Sequence, residues 1–239
     1  ADARHYAAST MKLALVMAAY REAEAGRVDL DAPVLIHDGF ASAVGGEHFW
    51  MDADDDSDPE PWRRMGTEVS LRWLCHRAIV KSSNLATNLV LDATGTHPVT
   101  DVLSAVGATG SVVARGIEDC VARDSGLQNF VTAADLACTL QALHAEKVAT
   151  PETCHEILSV LSAQQINDAI PAGLPRSAKV AHKSGWVEGI SHDAAIIYPG
   201  DADAFVFVMC TTSELDEQAG LALIAHGAAA SWQDRRVLG

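Results

Sequence analysis

The chain has 239 residues, of which 49% are hydrophobic and 21% charged, the composition of an ordinary globular protein. Its formal net charge is −15, from 32 acidic against 17 basic side chains, which argues against binding to nucleic acid. No apolar run reaches the roughly 18 residues of a membrane span. The five cysteines form no CxxC pair and the ten histidines show no metal-ligand spacing, so we predict no disulfide framework, metal or other cofactor.

Helical patterns fill the first two thirds of the chain. We predict a buried helix from Ser9 to about Glu24, closed by Gly26, because nearly every face of this segment except Lys12 is apolar. The stretch 27–66 looks irregular, and its acidic run Asp52–Glu60 lacks the glycine and terminal glutamate of a calcium loop. We interpret that run as a solvated loop. Further helices are predicted over 70–80, 84–93, 98–106, 132–146 and 151–163.

The last third changes to strand patterns. Three successive strands are predicted over 179–186, 192–198 and 204–212, followed by a helix over 214–232. Without a repeat or a linker, the chain reads as one catalytic unit of the α+β class. We divide this unit, residues 1–239, into a mainly helical part over 9–172 and a sheet-and-helix part over 173–239.

Ser9 and Lys12 place a hydroxyl and an amine three residues apart at a helix start. Positions i and i+3 share a helix face, so the amine can reach the hydroxyl. A buried lysine is costly in its charged form, and a lowered pKa is what an activating base needs. This pair predicts a serine nucleophile with a lysine base.

Two further motifs follow in order. Ser82-Ser83-Asn84 opens a helix and is either a catalytic motif or a plain capping turn. Lys183-Ser184-Gly185 lies in the first strand of the tail and is either a second catalytic motif or a charge with a bulge on an edge strand. S-x-x-K, S-D-N and K-T-G are together the signature of class A β-lactamases and penicillin-binding proteins. All three positions occur here on the elements that this fold requires.

The stretches Tyr6–Leu13 and Gly66–Asp92 closely resemble class A β-lactamases. The resemblance implies an all-α subdomain packed against an antiparallel sheet flanked by helices. It implies catalytic roles for Ser9, Lys12, Ser82 and Lys183, an oxyanion hole from the backbone N–H groups of Ser9 and Trp186, and substrate binding by Asn84, Ser184 and Gly185.

The chain departs from this family at three places. The loop that carries the deacylating glutamate reads Arg115-Gly116-Ile117-Glu118-Asp119, where we expect Arg115 to pair with Glu118 or Asp119 and to lower the pKa of that acid. His192 takes the position of a carboxylate-binding arginine and is read either as a substrate-binding or as a structural residue. Only eight residues precede the nucleophile, where the family normally has its first helix and first two strands. We expect either that the given chain is truncated or that another copy fills this edge of the sheet.

These features predict a serine acyl hydrolase that is acylated by a β-lactam or a related small amide or ester and deacylates weakly. A D,D-peptidase or esterase, and a non-hydrolysing module with the same fold, stay open as alternatives. The sequence contains no secretory signal and leaves the compartment undecided between secreted and cytoplasmic.

Overall fold

The central helix of the molecule carries the nucleophile at its start. A computed structural model describes residues 1–238. A 3-10 turn, Ala8–Thr10, leads into helix α1, Met11–Glu24, in which every residue from Met11 to Tyr20 is buried. This all-round burial explains why the segment is apolar on each face, and it confirms the predicted buried helix.

Helices surround α1 on several sides. Five of the predicted helices are confirmed within two residues at either end, whereas the helix predicted over 214–232 begins three residues later and the first helix opens with a 3-10 turn. Side-chain caps mark several starts: Ser70, Ser83, Thr132 and Thr150 each accept a backbone N–H three residues on. The remaining helices are α2, Pro59–Arg63; α3, Leu71–Val80; α4, Asn84–Thr94; α5, His97–Ala105; α6, Cys120–Asp124; α7, Ala133–His144; α8, Pro151–Ser162; α9, Glu217–Gln233; and α10, Arg235–Leu238.

Short strands tie the irregular segments together. They form three antiparallel pairs, none of which was predicted: β1, His5–Tyr6, with β6, Phe130–Val131; β2, Pro33–Leu35, with β5, Glu68–Ser70; and β3, Gly39–Ala41, with β4, His48–Trp50. Two or three residues are too few to show a period of two in the sequence, which is why these strands escaped prediction.

The main sheet has three antiparallel strands in the order β7, β8, β9: Lys179–Val187, Ile190–Tyr198 and Phe205–Thr212. One face packs on the main core around α1, and the other packs on α9 through a smaller cluster that includes Ala195, Ile197 and Ile224. This layering confirms the α+β prediction. Pairing of a second copy with the outer strand β9 stays a prediction.

The outer edge of β7 lies against the 3-10 turn that holds Ser9. An edge strand directs alternate backbone N–H and C=O groups away from its sheet. Among residues 1–238, no helix is long and apolar enough to cross a membrane.

Candidate active site

An open cleft of about 850 Å³ lies between α4, β7 and two loops. Five predicted site residues line it: Ser9, Ser82, Asn84, Glu118 and Trp186. Lys12, Lys183 and Ser184 are buried beneath this lining. The loops contribute Asp55 and Ser57 from the acidic run, and Ile117 and Glu118 from the segment that follows Arg115.

The nucleophile turn is held in a strained backbone conformation. Ala8 has a φ of 43°, in a region of the backbone map that residues other than glycine rarely adopt. Gly185 approaches this turn so closely that a Cβ atom there would lie 2.7 Å from the backbone nitrogen of Ser9. Glycine is therefore required at position 185 for β7 to reach the nucleophile.

Two buried lysines meet at the hydroxyl of Ser82. Nζ of Lys12 donates to the carbonyl oxygen of Ser82 at 2.6 Å and lies 3.3 Å from its Oγ. Nζ of Lys183 donates to the same Oγ at 3.0 Å. The three side chains that the sequence predicted to be catalytic partners of Ser9 therefore form one connected group.

Burial controls the charge of both amines. Burial lowers the pKa of Lys12 well below its usual value, and nearby Lys183 lowers that pKa further, while Asp56 acts in the opposite direction. Burial also lowers the pKa of Lys183, to about 7, against the attraction of Asp193. A neutral Lys12 has a lone pair that can accept a proton, as the sequence predicted for a base.

Asn84 and Ser184 complete the polar floor. Oδ1 of Asn84 accepts from Nζ of Lys12 at 2.9 Å, and its Nδ2 donates to the carbonyl of Asp55 at 2.9 Å. Oγ of Ser184 is buried without a partner in the part of the chain that the structure describes. A buried hydroxyl without a partner is rare in folded proteins and marks a position suited to a ligand group.

The predicted pairing of Arg115 with a loop acid is wrong. Within residues 1–238 the guanidinium of Arg115 donates to neutral acceptors only, and it lies 5.9 Å from the centre of the Tyr6 ring. Its acceptors, the backbone oxygens of Gly116 and Leu127 and side-chain oxygens of Tyr6 and Gln128, anchor the loop to the segment before β6. The sequence placed an arginine near two acids but could not show which groups its side chain reaches.

The two loop acids have different environments. Asp119 is buried and accepts from Oγ of Ser42 and from the backbone nitrogens of Ala43 and Ala122, so it holds the loop in place. Glu118 is half-buried, with a φ of 64°. Its Oε2 accepts from the backbone N–H of Asp52, and its Oε1 has no donor among the described residues. Burial raises the pKa of Glu118, against the expected lowering.

His192 is structural rather than a ligand of the cleft. Its ring is buried in the sheet, Nδ1 accepts from the backbone N–H of Thr211, and Nε2 donates to the carbonyl of Tyr6. Burial lowers the pKa of His192, so the ring is neutral and both nitrogens are already used. The structural reading of this position therefore replaces the substrate-binding one.

The sequence missed a buried pair behind Lys183. Nδ1 of His182 lies 3.0 Å from the carboxylate of Asp193, which also accepts from the backbone N–H of Ile170. The pair lies on the α9 side of the sheet, and Asp193 acts on Lys183 through its charge. Residues 182 and 193 are diagonal neighbours on adjacent strands, a relation that appears only once the register is known.

Comparisons with known proteins agree with this geometry. The model of the beta-lactamase enzyme family matches residues 1–234. The chain belongs to this family. It is thus a serine hydrolase of the β-lactamase type. A search of curated proteins finds no match.

Solved structures share the fold over almost the whole chain. A β-lactamase from Sphaerobacter thermophilus is 26% identical, with a TM-score of 0.82 over 99% of this chain and 84% of its own. A β-lactamase from Xanthomonas campestris is 24% identical, with a TM-score of 0.81 over 99% and 85%. The penicillin-binding protein PBP-A is 20% identical, with a TM-score of 0.81 over 97% and 81%. The class A β-lactamase fold that the resemblance implied is confirmed.

Proposed function

We propose that this β-lactamase-family enzyme forms an ester between Ser9 and the carbonyl carbon of a β-lactam or related amide, and that it hydrolyses this ester slowly. The observation that carries the proposal is the position of the Ser82 hydroxyl, within 3.3 Å of Lys12 and 3.0 Å of Lys183. A hydroxyl between a base and a cation can move a proton across the cleft.

Acylation would proceed through these groups. Neutral Lys12 takes the proton of the Ser9 hydroxyl while the oxygen bonds to the substrate carbonyl carbon. Backbone N–H groups of Ser9 and Trp186 stabilise the resulting oxyanion. As the carbon–nitrogen bond breaks, the nitrogen takes a proton from Ser82, which regains one from Lys12.

Lys183 and Ser184 would bind the carboxylate of the substrate. Lys183 supplies positive charge beneath the cleft, and the unpartnered Oγ of Ser184 supplies a donor. A peptide with a free carboxyl end offers the same carboxylate next to an amide carbonyl. Peptidase activity on such peptides is therefore the second candidate.

Slow deacylation follows from the residue that the loop presents to the cleft. The side chain of Asn88 clamps Ile117, accepting from its backbone nitrogen at 2.8 Å and donating to its carbonyl at 2.9 Å. Ile117 lines the cleft and has no basic group. The neighbouring Glu118 also lines the cleft, but one of its carboxylate oxygens accepts from the backbone N–H of Asp52 in the acidic loop.

The substrate class has support from one structural neighbour. A single-residue variant of PBP-A has been solved as an acyl-enzyme complex with penicillin G. PBP-A shares the fold of this chain, and the same ligand class is carried over here as part of the proposal.

Rapid-mixing kinetics with a chromogenic cephalosporin tests the proposal. We expect a burst of one equivalent, then slow turnover, with peptide mapping placing the adduct on Ser9 and no label in Ser9→Ala. An adduct on Ser82 or Ser184 would overturn the nucleophile assignment. Sustained rapid turnover that is lost in Glu118→Gln would show that Glu118 is the deacylating base.

A matched pair of variants tests the reason for slow release. Ile117→Glu introduces a carboxylate where the Asn88 clamp holds the loop, and Ile117→Gln introduces the same shape without a base. We expect faster ester hydrolysis in the first variant only, because a positioned base contributes about 10²–10⁴-fold. Equal rates in the two variants would exclude the loop position as the cause.

A further inference from the structure

Most of the acidic run Asp52–Glu60 is exposed, as the sequence predicted, but the side chains of Asp56 and Asp58 are held by α4 and α3 beside the catalytic group. Its central carboxylate, that of Asp56, accepts five hydrogen bonds at 2.8–3.1 Å. The donors are the backbone nitrogens of Asp58, Asn84 and Leu85, the indole nitrogen of Trp62 and the hydroxyl of Ser83.

Three of these donors belong to the first turn of α4. Helix starts leave backbone N–H groups without partners and favour a negative charge. Asp56 satisfies the N–H groups of Asn84 and Leu85, while Ser83 satisfies that of Ala86 through its own hydroxyl. The signature motif has an aspartate in the middle position, where this chain has Ser83. The carboxylate of Asp56, 27 positions before Ser83, therefore lies beside the motif position that has no carboxylate in this chain.

We infer that Asp56 is a positioning residue for the acylation reaction, which holds Ser82 and Asn84 in register with Lys12 and replaces the missing motif carboxylate. The inference rests on the function proposed above. Asp56 contacts neither Ser9 nor the lysines through a hydrogen bond in the part of the chain that the structure describes, so it acts through α4.

The backbone at Ser82 shows why such an anchor is needed. Ser82 has a φ of 57°, a left-handed conformation that is unfavourable for a residue other than glycine. Such a conformation persists only where the surroundings fix it. Lys12 holds the carbonyl of Ser82 on one side, and Asp56 holds the next two residues of the helix start on the other.

The acidic loop also contacts the motif through its neighbouring residues. The carbonyl of Asp55 accepts from Nδ2 of Asn84, and Oγ of Ser57 donates to the carbonyl of Lys81. Asp58 is buried and forms an ion pair with Arg77 of α3. The loop is thus fixed at both sides of Asp56, which keeps its carboxylate in one place.

The charge of Asp56 has a second effect. The charged side chains that act on Lys12 are Lys183 from β7, which lowers the pKa of Lys12, and Asp56, which raises it. Removing the carboxylate would therefore lower the pKa of Lys12 further. The acid limb of the pH–rate profile of acylation is the pH range in which Lys12 becomes neutral, and this limb would move to lower pH.

The experiment compares acylation rate constants over pH 4–9 for the full chain and four variants, using a fluorescent penicillin. Asp56→Asn keeps the shape but loses the charge, and we expect acylation at least about tenfold slower with the acid limb moved to lower pH. Asp54→Asn, an exposed carboxylate on the same loop, is the matched control and should behave as wild type. Combining Asp56→Asn with Ser83→Asp should recover most of the rate, whereas Asp56→Asn combined with Ser83→Asn should not.

The outcomes separate the two proposals. An unreactive wild-type chain would refute the acyl-enzyme function and, with it, the role of Asp56. A reactive wild type with an unaffected Asp56→Asn variant would refute the role of Asp56 alone. A lower melting temperature in Asp56→Asn, without a shift of the acid limb and without rescue by Ser83→Asp, would mean that the contact is merely structural.

Discussion

The two walls of the cleft are built differently. The strand wall, β7, presents Lys183, Ser184 and Gly185 from one regular element that pairs with β8 along its whole length. The loop wall, residues 55–58 and 115–119, is held by side chains, among which Asp56 reaches Asn84 and Asp119 reaches Ser42 across long stretches of chain.

The regular strand and the side-chain-held loops suit different roles in catalysis. A hydrogen-bonded strand fixes charges to within a narrow range, which suits the groups that bind and polarise a substrate. Loops fixed by a few caps can change without loss of the fold, which suits the groups that set turnover and substrate range. We therefore expect changes next to the strand wall to remove the reaction and changes in the loop wall to alter its rate or the stability of the protein.

The largest effect is expected for Lys12→Met on the floor between the walls. Loss of the base should slow acylation by about 10²–10⁴-fold, measured with a fluorescent penicillin. The melting temperature should hold or rise, because an apolar side chain removes a buried amine. Lys147→Met, at an exposed lysine, is the control. If Lys12→Met were acylated at the original rate, the base would instead be Ser82 or Lys183.

Gly185→Ala should come next, on the strand wall itself. The added Cβ would lie 2.7 Å from the nitrogen of Ser9 and 2.8 Å from that of Thr10, so β7 must move away from the nucleophile. Losing one oxyanion donor costs about 10²–10³-fold, and we expect an acylation rate reduced to that degree. Gly200→Ala, at a distant turn with a φ of 83°, strains the backbone without displacing β7, so it controls for a loss of stability alone. A change at Gly185 that left the rate intact would show that the close approach is dispensable.

The pH dependence of substrate affinity should be smaller. Lys183 binds a carboxylate in its charged form, and its pKa of about 7 means that the charged fraction falls roughly tenfold per pH unit well above that value. Affinity of the non-covalent complex, taken from the concentration dependence of acylation, should therefore weaken between pH 7 and 8.5. The methyl ester of the same β-lactam lacks the carboxylate and should show no such trend. A parallel trend for acid and ester would assign the titration to another group.

The smallest effect on the reaction is expected for Asp119→Asn on the loop wall. This buried carboxylate has three donors, and removing its charge should lower the free energy of unfolding by about 1–3 kcal/mol, measured by urea denaturation. Acylation should change little. Asp124→Asn removes an exposed ion pair with Arg123 and should cost much less stability than Asp119→Asn. Equal stability of the two variants would contradict the anchoring role of Asp119.

Local patterns in the sequence were sufficient for the strand wall and the floor. The helical period placed Lys12 one turn after Ser9, and the capping serine at 83 marked the start of α4 correctly. The three tail strands were predicted from their own patterns, and the first of them carries Lys183, Ser184 and Gly185. These relations depend on residues that are close in the chain, which is why they could be read without a structure.

The loop wall could not be predicted because its contacts join distant positions. Arg115 was expected to bind a neighbouring acid, but it binds backbone and side-chain oxygens up to 109 positions away. The acidic run was interpreted as solvated, although Asp56 and Asp58 are held by α3 and α4. Charge and composition do not specify which partner a side chain meets.

The left-handed residues of the cleft have a consequence for variation. Of the four non-glycine residues with positive φ among residues 1–238, Ala8, Ser82 and Glu118 flank the cleft. Each conformation costs about 1–3 kcal/mol, so replacements that relax these turns would stabilise the protein. Selection for heat resistance alone should therefore accumulate changes around the nucleophile and the proton relay, and the most robust variants would be the least reactive ones.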